Sequence, residues 1–194
     1  LEAHRLILGS TSKYRRALLD RFGIPFSIAA PNIDESRNPG ESPLALVERL
    51  SRQKADAVAA SFPDGLIISS DQVAVLDERI FGKPGSAAGC TEQLRAASGR
   101  IMQFLTGVHV LDAHTGERSM HVDTTSAHFR TLTDAEIERY VARENPIDCA
   151  GSFKVEALGI TLLERIDSQD PTALTGLPLI WLASALRRAG VLLP

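Results

Sequence analysis

Residues 66–76 read LIISSDQVAVL. Leu66, Ile67 and Ile68 at one end and Val73, Val75 and Leu76 at the other make an apolar, β-branched run that predicts a strand. Asp71 interrupts it near the middle, with Ser69, Ser70 and Gln72 beside it. An aspartate inside a hydrophobic strand is uncommon without a partner, because burying an unpaired carboxylate is costly. Two readings follow. Either this stretch displays four polar groups into a cleft, or the strand simply reaches its solvent-exposed end there.

Upstream, HRLILGS from His4 predicts a buried strand ending at Gly9 and Ser10. Ser12 fits the N-cap of a helix whose apolar face is Leu18, Leu19 and Phe22 and whose stop is Gly23. A short strand is expected over Phe26–Ala29, then the polar loop PNIDESRNPGES at 31–42, which carries Asp34 and Glu35. Ser42-Pro43 starts a helix that runs to Ala60. Lys54 lies seven residues after Val47 and four after Leu50, so it shares the inward face and must snorkel, pair or meet an anion.

Downstream, a turn at Asp77-Glu78 leads into RIFGKP, where Gly82 and Pro84 constrain Lys83. A helix is expected over Ala87–Ala97. IMQFLTGVHVLD (101–112), the turn AHTGE and RSMHVDTTSAHF (118–129) predict antiparallel strands. Thr133 and Glu136 have capping-box spacing for a helix to about Arg143. CAGSFKVEALG (149–159) is irregular, ITLLERI (160–166) reads as a strand, and GLPLIWLASALRR (176–188) closes as a helix with Leu182, Ala185 and Leu186 inward. The order β-α-β-α-β-β-α-β-β-α-β-α predicts an α/β or α+β fold with a mixed sheet flanked by helices. One domain over 1–194, with room for two lobes around a central cleft, is expected.

Composition narrows the function classes. The 194 residues are 44% hydrophobic and 23% charged, as in a globular chain, and the net charge of -3 supplies no global field for nucleic acid or an anionic membrane. No uninterrupted apolar span suggests a membrane helix. The visible N-terminus reads as lacking a cleavable signal, so a cytoplasmic location is expected. Cys90 and Cys149 are too few for a disulfide framework or a four-ligand zinc site, and the five histidines lack compact metal spacing.

The stretch STSKYRR (10–16) puts Ser10, Ser12 and Arg15 at a strand-to-helix junction. Basic residues in a first helical turn oppose the helix dipole unless an anion compensates, which hints at phosphate. The competing reading is a capped helix with two solvated arginines. Glu35, Lys54 and Lys83 add a carboxylate and two ammonium groups of the kind that handle Mg²⁺ and phosphate, although each alone fits an ordinary surface charge.

Taken together, STSKYRR, Asp34-Glu35, Lys54, SSDQV (69–73), FGKP (81–84), HFRTL with Glu136 and Tyr140, CAGSFKVEALG and GLPL (176–179) resemble the Maf family of nucleotide pyrophosphatases, over nearly the whole chain. The resemblance implies a Maf/ITPase-like elongated mixed sheet, hydrolysis of a nucleoside triphosphate to monophosphate and diphosphate, a divalent cation (Mg²⁺ or Mn²⁺), and a homodimer. Tyr14, Gln72 and Glu156 resemble the branch acting on 7-methyl-GTP. Asp71, Glu35, Lys54 and Lys83 are then catalytic, with Glu35 and Asp71 on the metal. Ser10, Ser12, Arg15, Tyr14, Gln72 and Glu156 bind substrate. Lys13 departs from the family pattern, which commonly has proline there. The alternatives are a broad house-cleaning pyrophosphatase and a non-catalytic nucleotide-binding regulator of cell division.

Overall fold

The structure, a computed structural model, describes residues 5–194. His4, where the sequence reading begins the first strand, lies outside them. The elements are β1 (Arg5–Leu8), α1 (Lys13–Leu19), β2 (Ser27–Ile28), α2 (Pro43–Ala59), β3 (Gly65–Leu76), β4 (Arg79–Phe81), α3 (Ala87–Ala97), β5 (Ile101–Asp112), β6 (Arg118–Phe129), α4 (Asp134–Glu144), β7 (Leu163–Asp167) and α5 (Leu179–Arg188). The fold is mixed α/β, a sheet flanked by helices. Strand order is β2-β1-β3-β5-β6-β7, with β4 paired to β3. β1 pairs in parallel with both β2 and β3, whereas β3–β4 and β6–β7 are antiparallel.

The chain divides into two compact units. The first takes the described part of Leu1–Asp71, with Thr106–Asp123 and Asp170–Pro194; the second takes Gln72–Leu105 and Thr124–Gln169. Strands β3, β5 and β6 each run covalently from one unit into the other.

Alternation along the strands gives the first unit two apolar layers. Leu6, Leu8, Leu66, Ile68, Val108 and Val110 pack with Leu18 and Leu19 of α1 and Leu182, Ala185 and Leu186 of α5. On the opposite face, Ile7, Ile67 and Leu111 pack with Ala55 and Val58 of α2. Each fully buried Leu or Ile contributes about 1.5–3 kcal/mol. Exposed ion pairs of the same unit such as Arg118–Asp56, each at 44% side-chain exposure, contribute far less, so these layers carry the unit's stability. Trp181 is half-buried against the first layer and stacks on His121 at 5.5 Å. In the second unit, Phe153 meets Phe104 and Phe129 at 5.9 and 5.5 Å, and α3 packs on α4.

Local signals account for the boundaries. Ser42 Oγ accepts from Ala45 N with Pro43 in the first turn, and Thr133 and Glu136 form a reciprocal capping box. Asp77 and Glu78 both have positive φ, as a two-residue hairpin between twisted strands requires. Two expected strands are corrected. β2 covers only Ser27–Ile28 rather than Phe26–Ala29. Ile160–Leu162 belong to a 3-10 turn, and β7 starts at Leu163. There the chain doubles back, with Gly159 N donating to Lys154 O and Ile160 N to Ala157 O, so it cannot extend earlier.

α2 lies close against β5. A Cβ on Gly107 would stand 2.7 Å from the Val47 carbonyl oxygen, so only glycine fits there. Two residues on, His109 is 3% exposed and neither ring nitrogen has a hydrogen-bond partner. Burial foremost, with the Arg118 and Arg52 charges, pushes its pKa from 6.5 down to about 4, against a partial upward pull from Asp56. The unfolded chain therefore takes up a proton near 6.5 that the folded chain refuses until about 4, so protons favour unfolding in that window. Stability is expected to fall by up to about 3 kcal/mol as pH drops through it. His109→Leu should lack this slope between pH 6.5 and 4 in urea-unfolding titrations; equal slopes in both proteins would refute the assignment.

Candidate active site

The site begins with the two faces of β3. Ile67, Ser69 and Asp71 alternate toward α2, and Leu66, Ile68 and Ser70 toward α1 and α5. The strand continues to Leu76 and Asp71 is 6% exposed, which rules out the reading of an exposed strand end. Ser69 Oγ donates to the Ser51 carbonyl of α2 at 2.5 Å, tying helix to strand one turn from Lys54.

Lys54 occupies the inward face that its spacing predicts and is 5% exposed. Its Nζ donates to Asp71 Oδ1 at 2.6 Å and lies 3.0 Å from Glu35 Oε1. A buried ammonium needs such partners, because its desolvation is not otherwise recovered. Glu35, half-exposed on its loop, thus belongs to a three-member cluster.

Ser10, Ser12 and Arg15 adjoin it in the first unit. Ser12 Oγ caps α1 by accepting from Arg15 N at 3.4 Å. Ser10 Oγ accepts from Ser12 N at 3.2 Å and from Arg15 Nη1 at 3.4 Å; a hydroxyl that only accepts keeps its own proton to donate. Arg15 Nε donates to the Gly176 carbonyl at 3.0 Å, and Ser70 Oγ donates to the same oxygen at 2.8 Å. Burial lowers the pKa of the Arg15 guanidinium from its ordinary value, and the Asp71 and Glu35 charges pull it back up. It stays a cation in the neutral range.

Gly176 is the site element that sequence reasoning missed. Its φ of +114° favours glycine, and an added Cβ would crowd Arg15 Nε at 3.3 Å. Buried Asp170 holds the segment in place, accepting from Thr172 N and Ile180 N at 2.9 and 2.7 Å. The GLPL motif was the available signal, but a backbone carbonyl has no residue signature of its own.

Tyr14 is half-buried in α1, with the Lys13 ammonium 4.9 Å over its ring. Gln72, Lys83 and Glu156 belong to the second unit, half-buried in β3, exposed between β4 and α3, and exposed in the turn before Leu158, respectively.

Among the described residues no group of three or more His, Cys, Asp and Glu forms a metal cage. The donors present have the hard-oxygen chemistry that a divalent cation takes. Two hard carboxylates converge on a single ammonium position, and Mg²⁺ is held by one or two carboxylates, completing its shell with water and phosphate oxygens.

A sequence model described as Maf-like protein matches residues 5–189. The chain belongs to the Maf family. It is 52% identical over 190 residues to a 7-methyl-GTP pyrophosphatase of Aromatoleum aromaticum, covering 98% of each chain. Proteins of the same name from Cupriavidus metallidurans and Chromohalobacter salexigens are 53% and 50% identical, covering 95% and 96% of this chain and 93% and 97% of theirs. Among solved structures, that of the Staphylococcus aureus Ham1 protein matches at TM-score 0.47 and 16% identity, over 66% of this chain and 72% of that one.

Within this Maf chain, removing Lys54 would strand the Asp71 carboxylate in a buried position. Lys54→Met is expected to cost about 3–5 kcal/mol in urea unfolding. Asp71→Asn should cost less, because Lys54 keeps Glu35. The reverse order would contradict the pairing.

Proposed function

We propose that this Maf protein hydrolyses the bond between the α and β phosphates of 7-methyl-GTP, releasing the monophosphate and diphosphate. The observation that carries the reading is the Lys54 ammonium held between Asp71 and Glu35, with the Arg15 guanidinium beside them. Relatives at 50–53% identity that bear the name 7-methyl-GTP pyrophosphatase support the substrate.

In this reading Arg15 binds the triphosphate tail with its planar fork of donors, and Ser10 adds a hydroxyl. Lys54 has three donors, and its two carboxylate partners leave one to direct at phosphate. Glu35 and Asp71 would hold Mg²⁺ or Mn²⁺, which when bound neutralises phosphate charge and polarises the phosphoryl group. Asp71, fixed by β3 and Lys54, accepts the proton of the attacking water as its oxygen bonds to the α-phosphorus and the bond to diphosphate breaks. Burial of Lys54 and Asp71 strengthens their charge interactions relative to water. The reading also assigns Lys83 to the tail and Gln72 and Glu156 to the base, roles carried by the order of motifs along the chain.

N7-methylation makes guanine cationic, so an aromatic face such as Tyr14 would attract it. The Lys13 ammonium already stands 4.9 Å over that ring. A second cation competes for the same quadrupole, which favours broader acceptance of triphosphates as a second reading.

A panel of 7-methyl-GTP, GTP, UTP and dTTP with Mg²⁺ separates the two. The proposal expects the highest kcat/KM for 7-methyl-GTP; equal values across the panel favour the broad reading, and no diphosphate from any of them refutes both. Asp71→Asn is expected to lower kcat by about 10³-fold with the fold retained, and near-wild-type turnover would remove Asp71 from the chemistry. Glu156→Gln should cut the preference for 7-methyl-GTP over UTP about tenfold or more, whereas an unchanged ratio across the panel would remove Glu156 from base reading.

A further inference from the structure

The Glu35 carboxylate reaches Lys54 from a polar surface loop. An open pocket of about 490 Å³ is bordered by that loop and α2, lined by Ile33, Asp34, Ser36, Asn38, Arg49 and Gln53. One side chain spans the gap. Arg49, on α2 and 16% exposed, donates Nε to Glu41 Oε1 at 2.6 Å and Nη2 to Glu41 Oε2 at 2.8 Å, a bidentate pair with a carboxylate only 8% exposed. Nη2 also donates to the Ser36 carbonyl at 2.9 Å, and Nη1 to Gln53 Oε1 at 2.9 Å.

Glu41 carries the grip back along the loop. Its Oε2 accepts from Asn38 N at 3.0 Å and its carbonyl accepts from Arg37 Nε at 2.7 Å. At the other end, Ser36 N donates to Asp34 Oδ1 at 2.8 Å. Glu35 therefore sits between two residues whose positions are set by this network. Arg49 holds the Glu41 carboxyl down to about 2, so the clamp stays charged across the neutral range.

We propose that Arg49 is a positioning residue for the hydrolysis. By gripping Glu41 and the Ser36 carbonyl together, it fixes the 34–41 loop so that the Glu35 carboxylate stands at Lys54 and Asp71, where the two carboxylates would hold a divalent cation. The inference rests on the reading of Glu35 as a cation-binding carboxylate. Arg49 touches neither phosphate nor water in this role, so it acts through Glu35 alone.

The test compares Arg49→Gln, Glu41→Gln, Glu35→Gln and the Arg49→Gln/Glu35→Gln double variant in the full chain. Arg49→Gln is expected to raise the Mn²⁺ concentration for half-maximal activity by about 10- to 100-fold, as loss of a ligand's supporting partner does, and to lower kcat with little change in nucleotide KM. Without metal or nucleotide, hydrogen exchange at amides 35–41 should speed up while that of the α2 amides 50–58 stays as in the wild type. Glu35→Gln should give a similar metal shift, and the double variant should be no worse than the poorer single one, because both act through one group.

A purely structural Arg49 would lower the unfolding midpoint and leave the metal requirement alone. That result, alongside an impaired Glu35→Gln, overturns the inference and spares the proposed function. Additive losses in the double variant also overturn it. A Glu35→Gln protein with wild-type metal response overturns the reading of Glu35 and the inference with it. Should Arg49→Gln fail to fold, Glu41→Gln decides: a smaller metal shift in the same direction supports the clamp, and none refutes it.

Discussion

An ammonium group buried between a helix and a sheet must be paired, and Lys54 is paired twice. Its contacts with Asp71 at 2.6 Å and Glu35 at 3.0 Å bring together a central strand, the inward face of a helix and a surface loop. A buried pair of this kind is a poor device for stability, since desolvation consumes most of the attraction, and apolar residues of the same volume pack as well. Its presence in an otherwise well-filled layer of Ile67, Ala55 and Val58 points to chemistry.

Much of the surrounding structure serves to hold that cluster. Gly107 lets α2 approach β5 closely enough for Lys54 to reach the sheet. Ser69 and Ser51 lock the helix to β3 beside it. The Gly176 carbonyl anchors Arg15 and Ser70, and is itself fixed by the Asp170 network at the start of α5. Arg49 and Glu41 tether the loop that carries Glu35. The charges proposed to meet phosphate are thus supported by neutral or mutually satisfied groups, so on that proposal little rearrangement is needed when an anionic substrate arrives.

The order of all twelve elements was legible from periodicity and punctuation, because the caps at Ser42 and Thr133 and the turn at Asp77-Glu78 are short-range signals. The start of β7 was not, since the apolar run ITLLERI looks extended while a local backbone turn claims its first three residues. Within the site, Lys54 stood out as a charge on an apolar face and Asp71 as a charge in an apolar strand. Glu35 had no such contrast, because its whole loop is polar. The Gly176 carbonyl and the Arg49–Glu41 clamp were invisible for related reasons. One is backbone, and the other joins two charged residues whose separation along the chain says nothing about their meeting.

The most direct test of the central claim is a crystal structure with Mn²⁺ and a non-hydrolysable α,β-methylene analogue of 7-methyl-GTP, with the metal located by its anomalous scattering. The account predicts a peak bound by Glu35 and Asp71 oxygens, with Arg15 and Lys54 on the phosphates. A peak coordinated by neither carboxylate, or a triphosphate bound away from Arg15 and Lys54, would contradict it.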